Sequence, residues 1–247
     1  MNEIQRAREK IIIALDVPDR KTAEATLDRL GEKAPWIKIG LQLFIAEGPD
    51  IIQIVRERGH KIFLDLKLHD IPVTVAKAVA SICNLGVEMT TLHTLGGPNM
   101  LAEAAKAATG SQTTLLGVTI LTSMDTAQLA AIKIPNPPSE QVLFLAQLAK
   151  DAGIPGLVAS PQEIALLRKK IGPKMRLVIP GIRPQNTAHG DQKRVMPPGT
   201  AIQAGADWLV IGRPILEAEN PQAALEAVVN EIAETLPANP ACLRRLT

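Results

Sequence analysis

A chain of 247 residues has the length of one large domain, and a hydrophobic share of 46% supplies a sizeable core. A formal net charge of only +2 and an aromatic content of 2%, with no Tyr, argue against a nucleic-acid binder and against base-stacking platforms. Cys83 and Cys242 form no C-x-x-C pair and no zinc cluster, no apolar run nears the roughly 18 residues of a membrane span, and the charged start MNEIQRAREK lacks a signal-peptide core.

The expected compartment is therefore the cytoplasm, with no membrane and no nucleic-acid partner. Residues 11–15 (IIIAL) read as a first strand, buried on both faces because the apolar run is continuous. A helix-patterned stretch over 20–30 stops at Gly31. A strand at 36–39 and a helix at 49–58 follow, then a strand at 61–66 and a helix at 73–85. The pattern continues with a strand at 88–93, an Ala-rich helix at 98–108 and a strand at 113–120. A longer connection holds a short helix at 126–131. The helix at 139–152 has Ser139 as its expected N-cap.

A short strand at 156–159 leads to a helix at 161–170, with Pro161 in its first turn. The seventh strand is 176–179, followed by a Gly/Pro-rich polar loop at 180–198 and a short helix at 200–204. The eighth strand is 208–211, the last helix 221–235, and the tail 236–247 reads as irregular. Eight strands alternating with helices, with no linker between halves, predict an α/β fold: a (β/α)8 TIM barrel in a single domain over 1–247. An open doubly wound sheet is the alternative. It would carry a glycine fingerprint after the first strand, where this chain has Leu15-Asp16-Val17-Pro18.

In such a barrel the active site lies at the C-terminal ends of the strands, and the unusual polar residues fall there. The segment LDLKLHDIP places Asp65 and Lys67 two apart at a strand end, hence on one face, and Asp70 on a turn fixed by Pro72. A lysine flanked by carboxylates is held protonated. Ordinary solvated ion pairs are the plainer reading of the same string. Lys38 lies among Trp36, Ile37 and Ile39, where a lysine is costly without a charged partner. Together Lys38, Asp65, Lys67 and Asp70 sum to zero charge.

Asp16 ends the first strand and is either a site residue or a turn former. Thr122 and Ser123 follow the fifth strand and either meet a ligand or cap the next turn. His93 reads as a packed histidine rather than a catalyst. Gly212-Arg213, after the eighth strand, is a phosphate signal, since Gly permits close backbone approach and Arg adds a charge-assisted contact. A surface Arg on a strand-to-helix turn is the alternative. The loop at 180–198 carries Arg183 and Gln192 and is expected to close over a ligand, with Gly181 and Gly190 as hinges.

At this point the motifs become specific. ALD at 14–16, KIG at 38–40, LDLKLHDIP at 64–72, LTS at 121–123, PGIR at 180–183, GDQKR at 190–194 and IGRPI at 211–215 resemble the orotidine 5′-phosphate decarboxylases, in order and over nearly the whole chain. Leu68 and Ile179 depart from residues frequent in that family, and neither is a charged position. The resemblance implies decarboxylation of orotidine 5′-monophosphate to UMP, without cofactor or metal. Lys67 would be the proton donor within a Lys38–Asp65–Lys67–Asp70 network. Asp70 and Thr74 would complete the neighbouring site of a homodimer. Asp16 and Lys38 would hold the ribose and Thr122, with Ser123, the pyrimidine. Gln192, Gly212 and Arg213 would bind the phosphate, with Arg183 at the base of the loop.

Two rivals remain at this stage. A 3-keto-gulonate-phosphate decarboxylase or hexulose-phosphate synthase shares the D-x-K-x-x-D string but uses Mg²⁺ with a Glu from the second strand, where this chain has Ile37-Lys38-Ile39. A barrel that only binds a nucleotide or phosphate is the other.

Overall fold

The computed structural model describes residues 1–184 and 195–237. The elements run α1 (Glu3–Arg8), β1 (Ile11–Leu15), α2 (Arg20–Leu30), β2 (Trp36–Gly40), α3 (Leu41–Glu47), α4 (Asp50–Glu57), β3 (Lys61–Leu68), α5 (Pro72–Asn84), β4 (Met89–His93) and α6 (Gly97–Ala107). They continue as β5 (Thr114–Val118), α7 (Thr126–Ala131), α8 (Pro138–Asp151), β6 (Gly156–Val158), α9 (Ile164–Ile171), β7 (Arg176–Ile179), α10 (Pro198–Ala204), β8 (Trp208–Ile211), α11 (Arg213–Leu216) and α12 (Pro221–Thr235). The strands pair in parallel in chain order, and β8 returns to β1 to close a barrel. The expected (β/α)8 fold is thus the observed one.

Each strand faces apolar surroundings on both sides, which is why the strands read as continuous apolar runs. Ile11, Ile13 and Leu15 turn outward into the layer between strands and helices. Ile12 and Ala14 turn inward, where they join Trp36, Phe63, Met89, Leu116, Val178 and Val210. Trp36 and Trp208 meet edge to face at 6.1 Å within this inner cluster. Side chains two residues on along a strand share its face. Lys38 and Asp65 therefore stand directly above Trp36 and Phe63, at the C-terminal mouth. Among the described residues no helix is long and apolar enough to cross a membrane.

Three local readings change. Ser139 is not an N-cap: α8 opens at Pro138 with Pro137 at the cap and no side-chain cap bond. Two consecutive prolines start this helix one residue earlier, with Pro138 at the first helical position, where its missing N–H costs nothing, so Ser139 lies inside the first turn. The segment after β2 is helical as α3, which the sequence pattern did not indicate. Residues 3–8 form α1 with an Asn2–Gln5 capping box.

The opposite end of the barrel is tied by Arg168 on α9. Its guanidinium donates to the carbonyls of Gly205 at 2.8 Å and Met175 at 2.5 Å and pairs with Asp207 at 2.6 Å. Asp207 in turn accepts the backbone N–H of Leu177 at 2.7 Å, joining the entrances of β7 and β8. Arg168→Met is expected to lower the thermal midpoint by roughly 4–8 °C, corresponding to about 2 kcal/mol of charge-assisted hydrogen bonding. Differential scanning calorimetry against the wild type checks this; an unchanged midpoint would remove Arg168 from the account of stability.

Candidate active site

Four charged side chains from three neighbouring strand ends form a line of alternating sign. Lys38 Nζ lies 2.9 Å from Asp16 Oδ1 and 3.7 Å from Asp65 Oδ2. The same Asp65 Oδ2 receives Lys67 Nζ at 2.8 Å. The Lys38 and Asp65 side chains are only 10% and 11% exposed, so the centre of the line is interior, while Lys67 at 30% and Asp16 at 61% reach toward solvent. Burial opposes ionisation of Asp65, but the charges of Lys38 and Lys67 outweigh it and hold the carboxyl below the usual range. Gly40 leaves room for the pair beside it, since a Cβ there would lie 3.1 Å from both Asp16 Oδ1 and Lys38 Nζ.

Asp65 and Lys67 do point to one place, but not by a regular pleat. Leu64 pairs with Thr90 and Leu68 with Leu92, so residues 65–67 lie against Thr91 alone. Lys67 takes a φ of 52°, in the left-handed region that L-residues with side chains rarely occupy. Its N–H donates to Thr91 Oγ1 at 2.8 Å, and the Thr91 hydroxyl donates to Asp65 Oδ1 at 2.9 Å. Thr91 is fully buried and was not singled out in the sequence. The one available signal is that a polar residue occupies an inward position of β4, two residues beyond Met89.

Two cavities open at this mouth. The smaller, about 160 Å³, is lined by Asp65, Lys67 and Thr122 among apolar side chains including Phe63 and Ile120. The larger, about 560 Å³, is lined by Asp16, Arg183, Gly212 and Arg213, and both share Lys38, Pro180 and Val210. The Arg183 Nε is buried with no hydrogen-bond partner among the described residues. Burial, then the neighbouring Arg213 charge, lower the Arg183 pKa, while Glu217 opposes this. One end of the joined cavity is apolar with an ammonium at its wall, and the other is cationic. That polarity suits a flat ring at one end and an anion at the other.

Other expected site residues stand apart. Ser123 is exposed and lines neither of these cavities. Asp70 and Thr74 are exposed at the start of α5, and the Asp70 carboxylate accepts the Ile71 N–H at 2.6 Å. Among the described residues Asp70 forms no ion pair with Lys67. Gln192 and Gly190 lie outside the described residues, as does most of the loop at 180–198. His93 is half-buried beside His69, with ring centroids 5.6 Å apart. Burial, reinforced by the charges of His69 and Lys67, lowers its pKa.

Residues 9–228 match the model of the family described as orotidine 5′-phosphate decarboxylase / HUMPS. An orotidine 5′-phosphate decarboxylase of Syntrophotalea carbinolica is 47% identical over 237 residues, covering 93% of this chain and 97% of that protein. One from Opitutus terrae is 48% identical over 224 residues, covering 90% of this chain and 97% of that protein. Among solved structures, orotidine 5′-phosphate decarboxylase from Lactobacillus acidophilus superposes with a TM-score of 0.79 at 37% identity, covering 90% of this chain and 98% of that one.

The depressed Asp65 pKa has a defined sign in stability. Its contribution is present above the unfolded carboxyl value, about pH 4, and is lost as pH falls through the lower folded value. The stability difference between wild type and Asp65→Asn in urea titrations is therefore expected to hold from neutral pH to about pH 5 and to shrink below about pH 4. A difference that widens toward acid would contradict the network.

Proposed function

This chain belongs to the orotidine 5′-phosphate decarboxylase / HUMPS family and is a carboxy-lyase of pyrimidine biosynthesis, and we propose that it converts orotidine 5′-phosphate to UMP and CO2 with Lys67 as the group that makes this possible. The observation that carries the reading is the Asp16–Lys38–Asp65–Lys67 line, which ends in an ammonium on the wall of the small cavity. Loss of CO2 leaves an electron pair in an sp² orbital at C6, where the ring π-system cannot spread it. A fixed cation beside C6 stabilises that charge as it develops and needs little reorganisation. Lys67 then delivers its proton to C6. Asp65 orients Lys67 through their 2.8 Å ion pair.

The remaining roles follow the cavity. Lys38, where the two cavities join, and Asp16 beside it in the larger one, hold the ribose hydroxyls. Thr122, in the small cavity, contacts the pyrimidine; the part of Ser123 rests on the family resemblance. Arg183, Gly212 and Arg213 receive the phosphate, together with Gln192, whose part rests on the family resemblance. The family name covers two chemistries, one of which needs a divalent cation. The Lys38 ammonium on β2, 3.7 Å from Asp65, favours the other, because a magnesium site needs a carboxylate there. The reading is of a cytoplasmic enzyme that works without a cofactor.

It also includes a homodimer. Ile71 and Val73, beside Asp70 and Thr74, are 66% and 59% exposed, and a second copy seated on this face would cover them. Asp70 would then reach the partner's Lys67 and supply a second carboxylate.

Two variants separate chemistry from binding. Lys67→Ala is expected to lower turnover of orotidine 5′-phosphate by more than about 10⁴-fold while UMP still binds. Arg213→Ala should weaken UMP binding by about 10- to 100-fold. Near-normal turnover in the first, or unchanged binding in the second, refutes the corresponding role, and loss of wild-type activity in EDTA favours the metal-dependent branch. Mixing inactive Lys67→Ala with inactive Asp70→Asn under exchange conditions should restore activity, because one hybrid site carries both native residues. No recovery once hybrids form would refute the shared site.

A further inference from the structure

Lys67 has an unusual backbone, and its ammonium pairs with one particular oxygen of Asp65. Both features converge on a single hydroxyl. Between the Leu64–Thr90 and Leu68–Leu92 pairs, the only β4 residue opposite 65–67 is Thr91. The displaced stretch of β3 cannot complete a regular ladder, so its backbone groups need other partners. Thr90 Oγ1 donates to the Leu64 carbonyl at 2.9 Å. Thr91 Oγ1 accepts the Lys67 N–H at 2.8 Å.

That second contact determines where the Thr91 proton goes. A backbone N–H can only donate, so the hydroxyl oxygen must accept there. Its one hydrogen is then free for Asp65 Oδ1, 2.9 Å away. With Oδ1 held, Oδ2 is the oxygen turned toward Lys67 at 2.8 Å and Lys38 at 3.7 Å.

We propose that Thr91 is the positioning residue for the decarboxylation, holding the left-handed Lys67 backbone and the Asp65 carboxylate in register through one fully buried hydroxyl. The inference rests on the reading of Lys67 as the proton donor. Thr91 lines neither cavity and acts through these two residues. Its effect belongs to the reacting geometry, where displacement of about 1 Å can cost on the order of 10²-fold in rate.

The test compares Thr91→Val, which keeps shape without the hydroxyl, with Thr91→Ser, which keeps the hydroxyl without the methyl. Turnover of orotidine 5′-phosphate and equilibrium UMP binding are measured for both and for the wild type. Thr91→Val is expected to lose on the order of 10²-fold in kcat, with UMP binding within about threefold of wild type. Thr91→Ser should retain kcat within about threefold. Equal losses in Val and Ser would assign the effect to packing and overturn the proposal, as would unchanged kcat in Thr91→Val. Absence of turnover in the wild type would instead overturn the functional reading itself, and this inference with it. Should Thr91→Val not fold, Thr91→Cys, whose thiol is a weak donor, takes its place against Thr91→Ser with the same outcomes.

Discussion

One carboxylate oxygen, Asp65 Oδ2, serves two ammonium groups at once. Placing three charges in the low-dielectric mouth of a barrel carries a desolvation cost of several kcal/mol per ion, offset only when geometry and hydrogen bonding are good. Here both conditions are met. Asp16 extends the line toward solvent and shares Lys38, and the Thr91 hydroxyl occupies the other Asp65 oxygen. The contributors come from the ends of β1, β2, β3 and β4. Barrel closure in chain order is what makes those ends neighbours, so the network is a product of the fold and not of any local segment.

The fold was legible because parallel barrel strands are apolar on both faces. IIIAL, and the runs ending at Lys38, Asp65 and Arg213, need no alternation to be recognised. Where the structure departs from the sequence pattern, the local chemistry is atypical. The residues LQLFIAE lie between a strand and Gly48-Pro49, too short a window for helical periodicity to show, yet they form α3. At α8 the Pro137-Pro138 opening displaced the cap expected at Ser139.

The site was legible in its charges and not in its supports. Lys38 stood out because a cation in an apolar strand demands an anion. Asp65 and Lys67 were rightly placed together, although the regular pleat invoked for them is absent: a register shift and a left-handed residue do that work. Thr91 left only a faint trace in MTTLH, a polar residue two beyond Met89, since Thr is an ordinary strand residue and its two contacts are long-range. Asp70 and Thr74 form no part of the cavity within one chain, and the pattern around them gives no interface stripe that sequence alone could locate.

The inner apolar cluster has a consequence for turnover. Phe63, Ile12, Leu116 and Val178 are fully or almost fully buried beneath the charges, with Trp36 and Trp208 packed against one another in the same cluster. Among the described residues that inner cluster is built of apolar side chains, with no carboxylate or hydroxyl among its members. On the proposed mechanism, an amine at position 67 that has given its proton to UMP would be recharged from the cavity side, through the mouth by which the nucleotide leaves. On that reading, regeneration of the acid and release of the nucleotide would share one route.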